Sequence, residues 1–312
     1  MSIPKRGSDA PENVGQLPLE AVPNVSEGSD RAALDALARA FSSDHCRLLD
    51  VHSDADYGRS VLTLVGAPQA LADAIVAGAR EAIRRLDIHR HRGVHPCIGV
   101  LDVVPVVYLR PDDRELARDE ALAIANRLAG ELELPVFLYG ELASEPEREE
   151  RAYFRDGGVS LLGERLERRE LEPDFGPPRP HPTAGAVLVA ARPPLVAFNL
   201  ELATEDLEAA RAIAARVREQ GGGIPGVRAI GVRLERQGSI QLSTNVHDPF
   251  EVPLRRLIEA VRREAERDGV AVVAGELVGL APRAALDGYP EDLPLRGFDA
   301  ERHVLENRLR SG

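Results

Sequence analysis

Hydrophobic spacing along this chain switches between a period of about two and one of 3.6 in a fixed order, and the order occurs twice. Residues 19–25 read as a strand. Residues 29–41 place Ala33, Leu34, Leu37, Ala38 and Phe41 at helical spacing behind Ser29 or Asp30 as N-cap. Residues 47–51 and 60–65 read as strands, 68–86 as a helix and 98–109 as a strand, which makes βαββαβ. A helix at 114–132 and a short strand at 135–139 extend it. After a strand at 186–191 the order returns: strand 195–202, helix 204–219 with Thr204 as N-cap, strands 228–234 and 239–245 around a turn at 236–238, helix 253–267, strand 270–278. The duplicated order predicts an α+β protein of two ferredoxin-like (βαββαβ) subdomains, each an antiparallel or mixed sheet with helices on one face. A ligand cleft or tunnel is expected between them. Asn24 then occupies the place in the first half that Asn199 occupies in the second.

The expected division is a disordered leader at 1–17, an N-terminal subdomain at 18–178, a C-terminal subdomain at 179–290, and a tail at 291–312 that forms a short amphipathic helix. Residues 172–185 hold too many prolines for a helix or central strand and too little Gly and Ser for a flexible linker. They read either as a plain connector or as a rigid crossing beside the cleft that presents Arg179, His181 and Thr183.

With 312 residues the chain can bury two modest cores, and a net charge of −12 argues against general nucleic-acid binding, which needs a dense basic surface. Lys5 is the single lysine and lies in the leader, so Schiff-base chemistry has no candidate in the folded part. Cys46 and Cys97 cannot build a disulfide framework and fit a reducing compartment. No apolar run approaches a membrane span and the N-terminus lacks the order of a secretory signal, so the expectation is a cytoplasmic protein with neither membrane nor nucleic-acid partner.

The chemistry concentrates at 89–108, where His89, His91 and His95 sit at the mouth of an apolar, β-branched strand. Imidazole titrates near neutrality, so the cluster can move protons, bind a ligand or hold a metal with Asp87 or Asp102. His89 and His91 lie in a turn before Gly93 and need not aim at one point, and no metal is expected. Cys97 reads as a nucleophile near His95 or as a small buried thiol. The acidic run at 50–56 is a solvated turn, a cation-binding set or a set of carboxylates orienting an imidazole, and 24–28 either caps a helix or cradles an anion.

Nine collinear blocks resemble the formiminotransferase family over residues 19–285: VPNVSEG, DADYGRSVLTLVG, HRGVHPCIGVLDVVP, LPVFLYGE, EPDFGP, HPTAGA, LVAFNLEL, STNV and GELVGLAPRAAL. The resemblance implies two subdomains flanking a folate tunnel and transfer of the formimino group from N-formimino-L-glutamate to tetrahydrofolate as co-substrate. Glutamate and 5-formiminotetrahydrofolate would result, a late step of histidine degradation. It implies His95 as the catalytic residue and a folate-contacting stretch comprising Gly176, Pro177, Arg179, His181, Pro182, Thr183 and Gly185. Asn24, Asp54, Arg59, His91, Asp102, Asn199 and Asn245 are candidate supporting residues. It further implies a homodimer, no metal, and any cyclodeaminase partner as a separate chain. The chain departs from the family's usual residues at Ala21, Val25, His52, Tyr57 and Cys97, the last three close to the implied site. A related enzyme with a formyl donor, or a folate binder without turnover, is the alternative.

Overall fold

The computed structural model describes residues 19–311, and the leader expected at 1–17 lies outside them. The first half begins with β1 (Leu19–Ala21) and β2 (Asn24–Val25), one strand path interrupted at Val22 and Pro23. Pro23 has no N–H to give a ladder, and its carbonyl instead accepts from the Leu62 backbone N–H at 3.0 Å. α1 (Arg31–Ala40) starts at Asp30, whose carboxylate accepts from the Ala33 N–H at 3.1 Å. There follow β3 (Cys46–Asp54), β4 (Arg59–Gly66), α2 (Pro68–Arg85), β5 (Leu101–Tyr108), α3 (Arg114–Leu132), β6 (Val136–Leu138), α4 (Arg151–Arg155), α5 (Gly158–Glu167) and β7 (Val187–Arg192). Their sheet has seven strands, in space β3, β4, the β1/β2 path, β5, β7 and β6. Within the βαββαβ part, the last strand therefore lies beside the first and the third beside the second.

The second half contains β8 (Val196–Leu202), α6 (Leu207–Val217), β9 (Val227–Leu234), β10 (Ser239–Val246), α7 (Leu254–Glu266) and β11 (Val272–Val278). The final segment is β12 (Leu295–Arg296), α8 (Ala300–His303) and α9 (Leu305–Arg310). The five-stranded sheet runs β12, β11, β8, β10, β9, the same last–first–third–second order with β12 added at the edge.

Two sequence expectations need correction. β7, assigned to the second half by a division at residue 179, pairs in parallel with both β5 and β6 and completes the first sheet. The proline-rich segment is thus a crossover within the first unit, and the sheets divide at the two prolines 193 and 194. The tail is not one helix. Val304 is extended, bridges Ala281 and separates two short helical turns.

Strand alternation decides where the cavity lies. Leu19, Ala21, Leu62, Leu64 and Val106 pack beneath α1, α2 and α3, and Val196, Phe198, Leu200, Ile240 and Leu242 beneath α6 and α7. The intervening residues of the same strands, Arg59, Val61, Ala197, Asn199, Ser243 and Asn245, point to the opposite faces, and α4 and α5 cover that of the first sheet at β5, β6 and β7. Those two faces oppose each other. At one end the hairpin turns meet, the Asp56 carboxylate accepting from the backbone N–H of Arg236 at 2.8 Å and of Gln237 at 3.2 Å. At the β3 edge the tail returns to the first sheet, where Leu305 and Leu309 pack on Leu49 and Val65 and the Arg308 Nε donates to the Leu49 carbonyl at 3.0 Å. Leu305→Ala is expected to destabilise the protein by about 2–4 kcal/mol, read as a lower denaturant midpoint at unchanged slope. Among the described residues no helix is long and apolar enough to cross a membrane.

Candidate active site

A cavity of about 660 Å³ separates the two opposed faces, with walls from β3, β4, α4 and the second sheet. His95 enters it from the loop before β5. That loop rests on the β3–β4 turn: the Val94 N–H donates to the Asp56 carbonyl at 3.0 Å and the His95 N–H to the Tyr57 carbonyl at 3.3 Å. The approach needs two glycines. A Cβ at Gly93 would strike the Tyr57 carbonyl, and Gly58, at φ 62°, would place one against Gly93 and the His91 ring.

The Arg59 guanidinium donates to His95 Nε2. Guanidinium has no acceptor, so Nε2 carries its lone pair and the ring proton of the neutral form sits on Nδ1. Burial holds the His95 pKa well below the ordinary imidazole value, and the positive charges of Arg59, Arg155 and Arg151 lower it further. Burial and the same neighbouring arginines push the Arg59 pKa down to about 10. The wall beside His95 is therefore a neutral base among the guanidinium groups of Arg59, Arg151 and Arg155, while farther along Arg228 is paired with Glu150 and Glu219.

Of the residues expected at the site, His95, Asp54, Arg59, Asn199 and Asn245 come together around the cavity. Asp54 also organises it: one carboxylate oxygen accepts from the Asp56 and Tyr57 N–H groups, each at 2.8 Å, and the other from the Gln237 amide at 3.0 Å. The Asn199 amide donates to Glu276 at 3.5 Å. Asp102 stands behind the wall, accepting from the Ile98 N–H at 2.8 Å and pairing with Arg155. Asn24 donates to the Val22 carbonyl at 2.9 Å and faces a smaller recess instead. The three histidines diverge: His89 bonds the Pro182 carbonyl at 3.2 Å, His91 the Ser26 carbonyl at 3.3 Å, and His95 Arg59. Among the described residues no group of His, Cys, Asp or Glu is arranged to hold a metal ion.

The stretch from Gly176 to Gly185 does not border the cavity. Gly176, Pro177, Arg179, His181, Pro182, Thr183 and Gly185 are all absent from its lining. The stretch closes on itself where His181 and Gly185 exchange backbone hydrogen bonds of 2.9 and 3.0 Å, with the His181 ring accepting from the Ala184 N–H at 3.1 Å. Gly185, at φ 72°, also passes close to the Ile98 carbonyl.

Among the three departures, His52 lines the cavity and Tyr57 is buried with its hydroxyl donating to Gln241 at 3.2 Å. Cys97 is buried and its thiol is pushed up to about 11, chiefly by burial, so it is a packed thiol and not a thiolate nucleophile at neutral pH. Sequence reading missed Arg151, Arg155, Arg218 and Arg228. The available signal was the spacing of Arg151 and Arg155, four apart and hence on one face of a helix.

A family profile described as the formiminotransferase domain, N-terminal subdomain, matches residues 18–192, and one described as the formiminotransferase domain matches residues 197–288. The chain is similar to a glutamate formimidoyltransferase of Streptococcus pyogenes, 39% identical over 293 residues covering 93% of this chain and 98% of the relative. A second, from Thermoplasma acidophilum, is 37% identical over 295 residues covering 93% and 97%. A formimidoyltransferase-cyclodeaminase of Mus musculus is 41% identical over 276 residues, 86% of this chain and 51% of that one. The two profile matches part where the two sheets part, and together with these identities they show that the chain belongs to the formiminotransferase family.

Proposed function

We propose that this protein transfers the formimino group of N-formimino-L-glutamate to N5 of tetrahydrofolate, with His95 moving the proton between the two nitrogens. The observation that carries this reading is the neutral imidazole, lone pair at Nε2, in a cavity walled by guanidinium groups. Both substrates are polycarboxylates, which arginine recognises by paired hydrogen bonds. Relatives named glutamate formimidoyltransferase support the same reaction. About 660 Å³ suits a folate ring system with a small donor beside it, and we place both there rather than against residues 176–185.

N5 attacks the amidine carbon, forming the new C–N bond and a tetrahedral intermediate. The N5 proton passes to His95 Nε2, whose bond from Arg59 is exchanged for the substrate amine, and Arg59 turns to substrate carboxylate. His95 then delivers that proton to the glutamate nitrogen as its bond to carbon breaks, leaving 5-formiminotetrahydrofolate and glutamate. The imidazole starts and ends neutral, and no covalent enzyme intermediate forms.

Because the His95 pKa lies below its ordinary 6.5, the base remains ready as the medium acidifies. The acid limb of kcat/KM, which reports the free enzyme, is expected below pH 6.5. A pH profile of kcat/KM taken at limiting concentrations of both substrates checks this, and a midpoint at or above 6.5 contradicts it. The reaction itself is tested by mixing purified protein with both substrates and following formation of 5-formiminotetrahydrofolate. Turnover with 5-formyltetrahydrofolate and glutamate alone, or folate binding without turnover, would overturn the reading.

A further inference from the structure

Beside the main cavity lies a recess of about 50 Å³ that shares Arg59, Val61, Arg151, Ala197, Asn245 and Val278 with it. Glu20 projects into this recess from β1, between Leu19 and Ala21, which face the helices. It is only 6% exposed, and among the described residues its carboxyl has no hydrogen-bond partner, Arg192 being the charge that acts on it. Arg192, from β7, donates to the Pro193 carbonyl at 2.9 Å and leaves its other donors to the recess.

The charged groups bordering the recess are one carboxyl, Glu20, and three guanidinium groups, Arg59, Arg151 and Arg192. The surplus is cationic and calls for an anion. The volume admits a carboxylate and its neighbouring carbon, or a few waters, but no ring of a folate. Arg59 belongs to both walls and touches His95, so a molecule whose far end lies in the recess presents its near end to the base. On N-formimino-L-glutamate the reacting amidine sits on the α-carbon, and the side-chain carboxylate reaches farthest from it.

Resting on the transfer reaction above, we infer that this recess is the specificity subsite for the donor's side-chain carboxylate, with Arg192 as its cation and Glu20 as a carboxylic acid donating to the same group. Burial raises the Glu20 pKa to about 7, the Arg192 charge opposing that rise only in part. Below this value the carboxyl donates to the bound carboxylate. Above it the ionised form repels the donor, so donor KM rises with pH.

The test compares N-formimino-L-glutamate with N-formimino-L-glutamine, which is isosteric but neutral at the side chain. The unaltered enzyme is expected to favour the former at least tenfold in kcat/KM, and Arg192→Gln to abolish that preference while folate KM stays within about threefold. Glu20→Gln, whose amide donates at every pH, is expected to flatten the rise of donor KM between about pH 6 and 8.5. Should Arg192→Gln fail to fold, the neutral Arg192→Met and the isosteric Glu20→Gln carry the comparison. The proposal is overturned if the enzyme does not discriminate, if discrimination survives in the Arg192 variants, or if the KM change falls on folate. An enzyme inactive with N-formimino-L-glutamate would sink the reaction instead. Calorimetry of L-glutamate then decides the recess alone, bound by the unaltered protein and by Glu20→Gln and lost from Arg192→Gln if the inference holds.

Discussion

Replacing His95 with alanine is expected to lower kcat by about 10²–10⁴-fold while folate affinity stays within several-fold. The prediction follows from where the ring stands. Its backbone N–H is fixed to the Tyr57 carbonyl in a turn that the substitution leaves intact, so the cavity walls should keep their shape. The loss is confined to the proton path: without Nε2, the N5 proton has no receiver and glutamate departs as a poor, anionic leaving group. Single-turnover kinetics alongside folate titration separates the two effects. An unchanged kcat removes His95 from the mechanism. A parallel collapse of folate affinity would make the ring a wall residue.

The second large effect is expected at Asp102, which touches neither substrate. Its carboxylate pairs with Arg155, both side chains being nearly buried at 3% and 11% exposed. Asp102→Ala leaves that guanidinium uncompensated inside the protein and also strands the Ile98 N–H, so a loss of about 3–5 kcal/mol is expected from denaturant unfolding. Arg155→Met added to Asp102→Ala removes the stranded charge and should recover much of that loss. A double-mutant cycle measures the coupling, and strictly additive effects would show that the pair is not the cause. Activity should not follow stability back, because Arg155 also contributes to the cationic wall around His95.

Much of this was legible in the sequence because alternation and helical spacing are local. Helix α3 spans 114–132 as read, and the strands of both βαββαβ runs lie within a few residues of their expected positions. His95 was named through the family resemblance, with Arg59, Asn199 and Asn245 as supporting residues, and all four line the cavity. What escaped depends on partners distant in the chain. Nothing local tells that β7 will lie parallel to β5 and β6, and the prolines before it drew the division too early. Thr204 was expected to cap the helix that Asp206 caps, two residues on, since both oxygens suit an N-cap. The arginines of α4, four apart on a five-residue helix, share a face, and only the fold turns that face toward an imidazole. Glu20 did leave a trace, a charge between two apolar residues of a buried strand.

The meeting of the hairpin turns at Asp56 and the return of the tail to Leu49 restrain the halves at two separate places. A jaw riveted at both ends cannot gape along its length. On the flank carrying Arg151 and Arg155 the fastening is ionic, the Arg228 Nε of the second sheet donating to Glu150 at 2.9 Å.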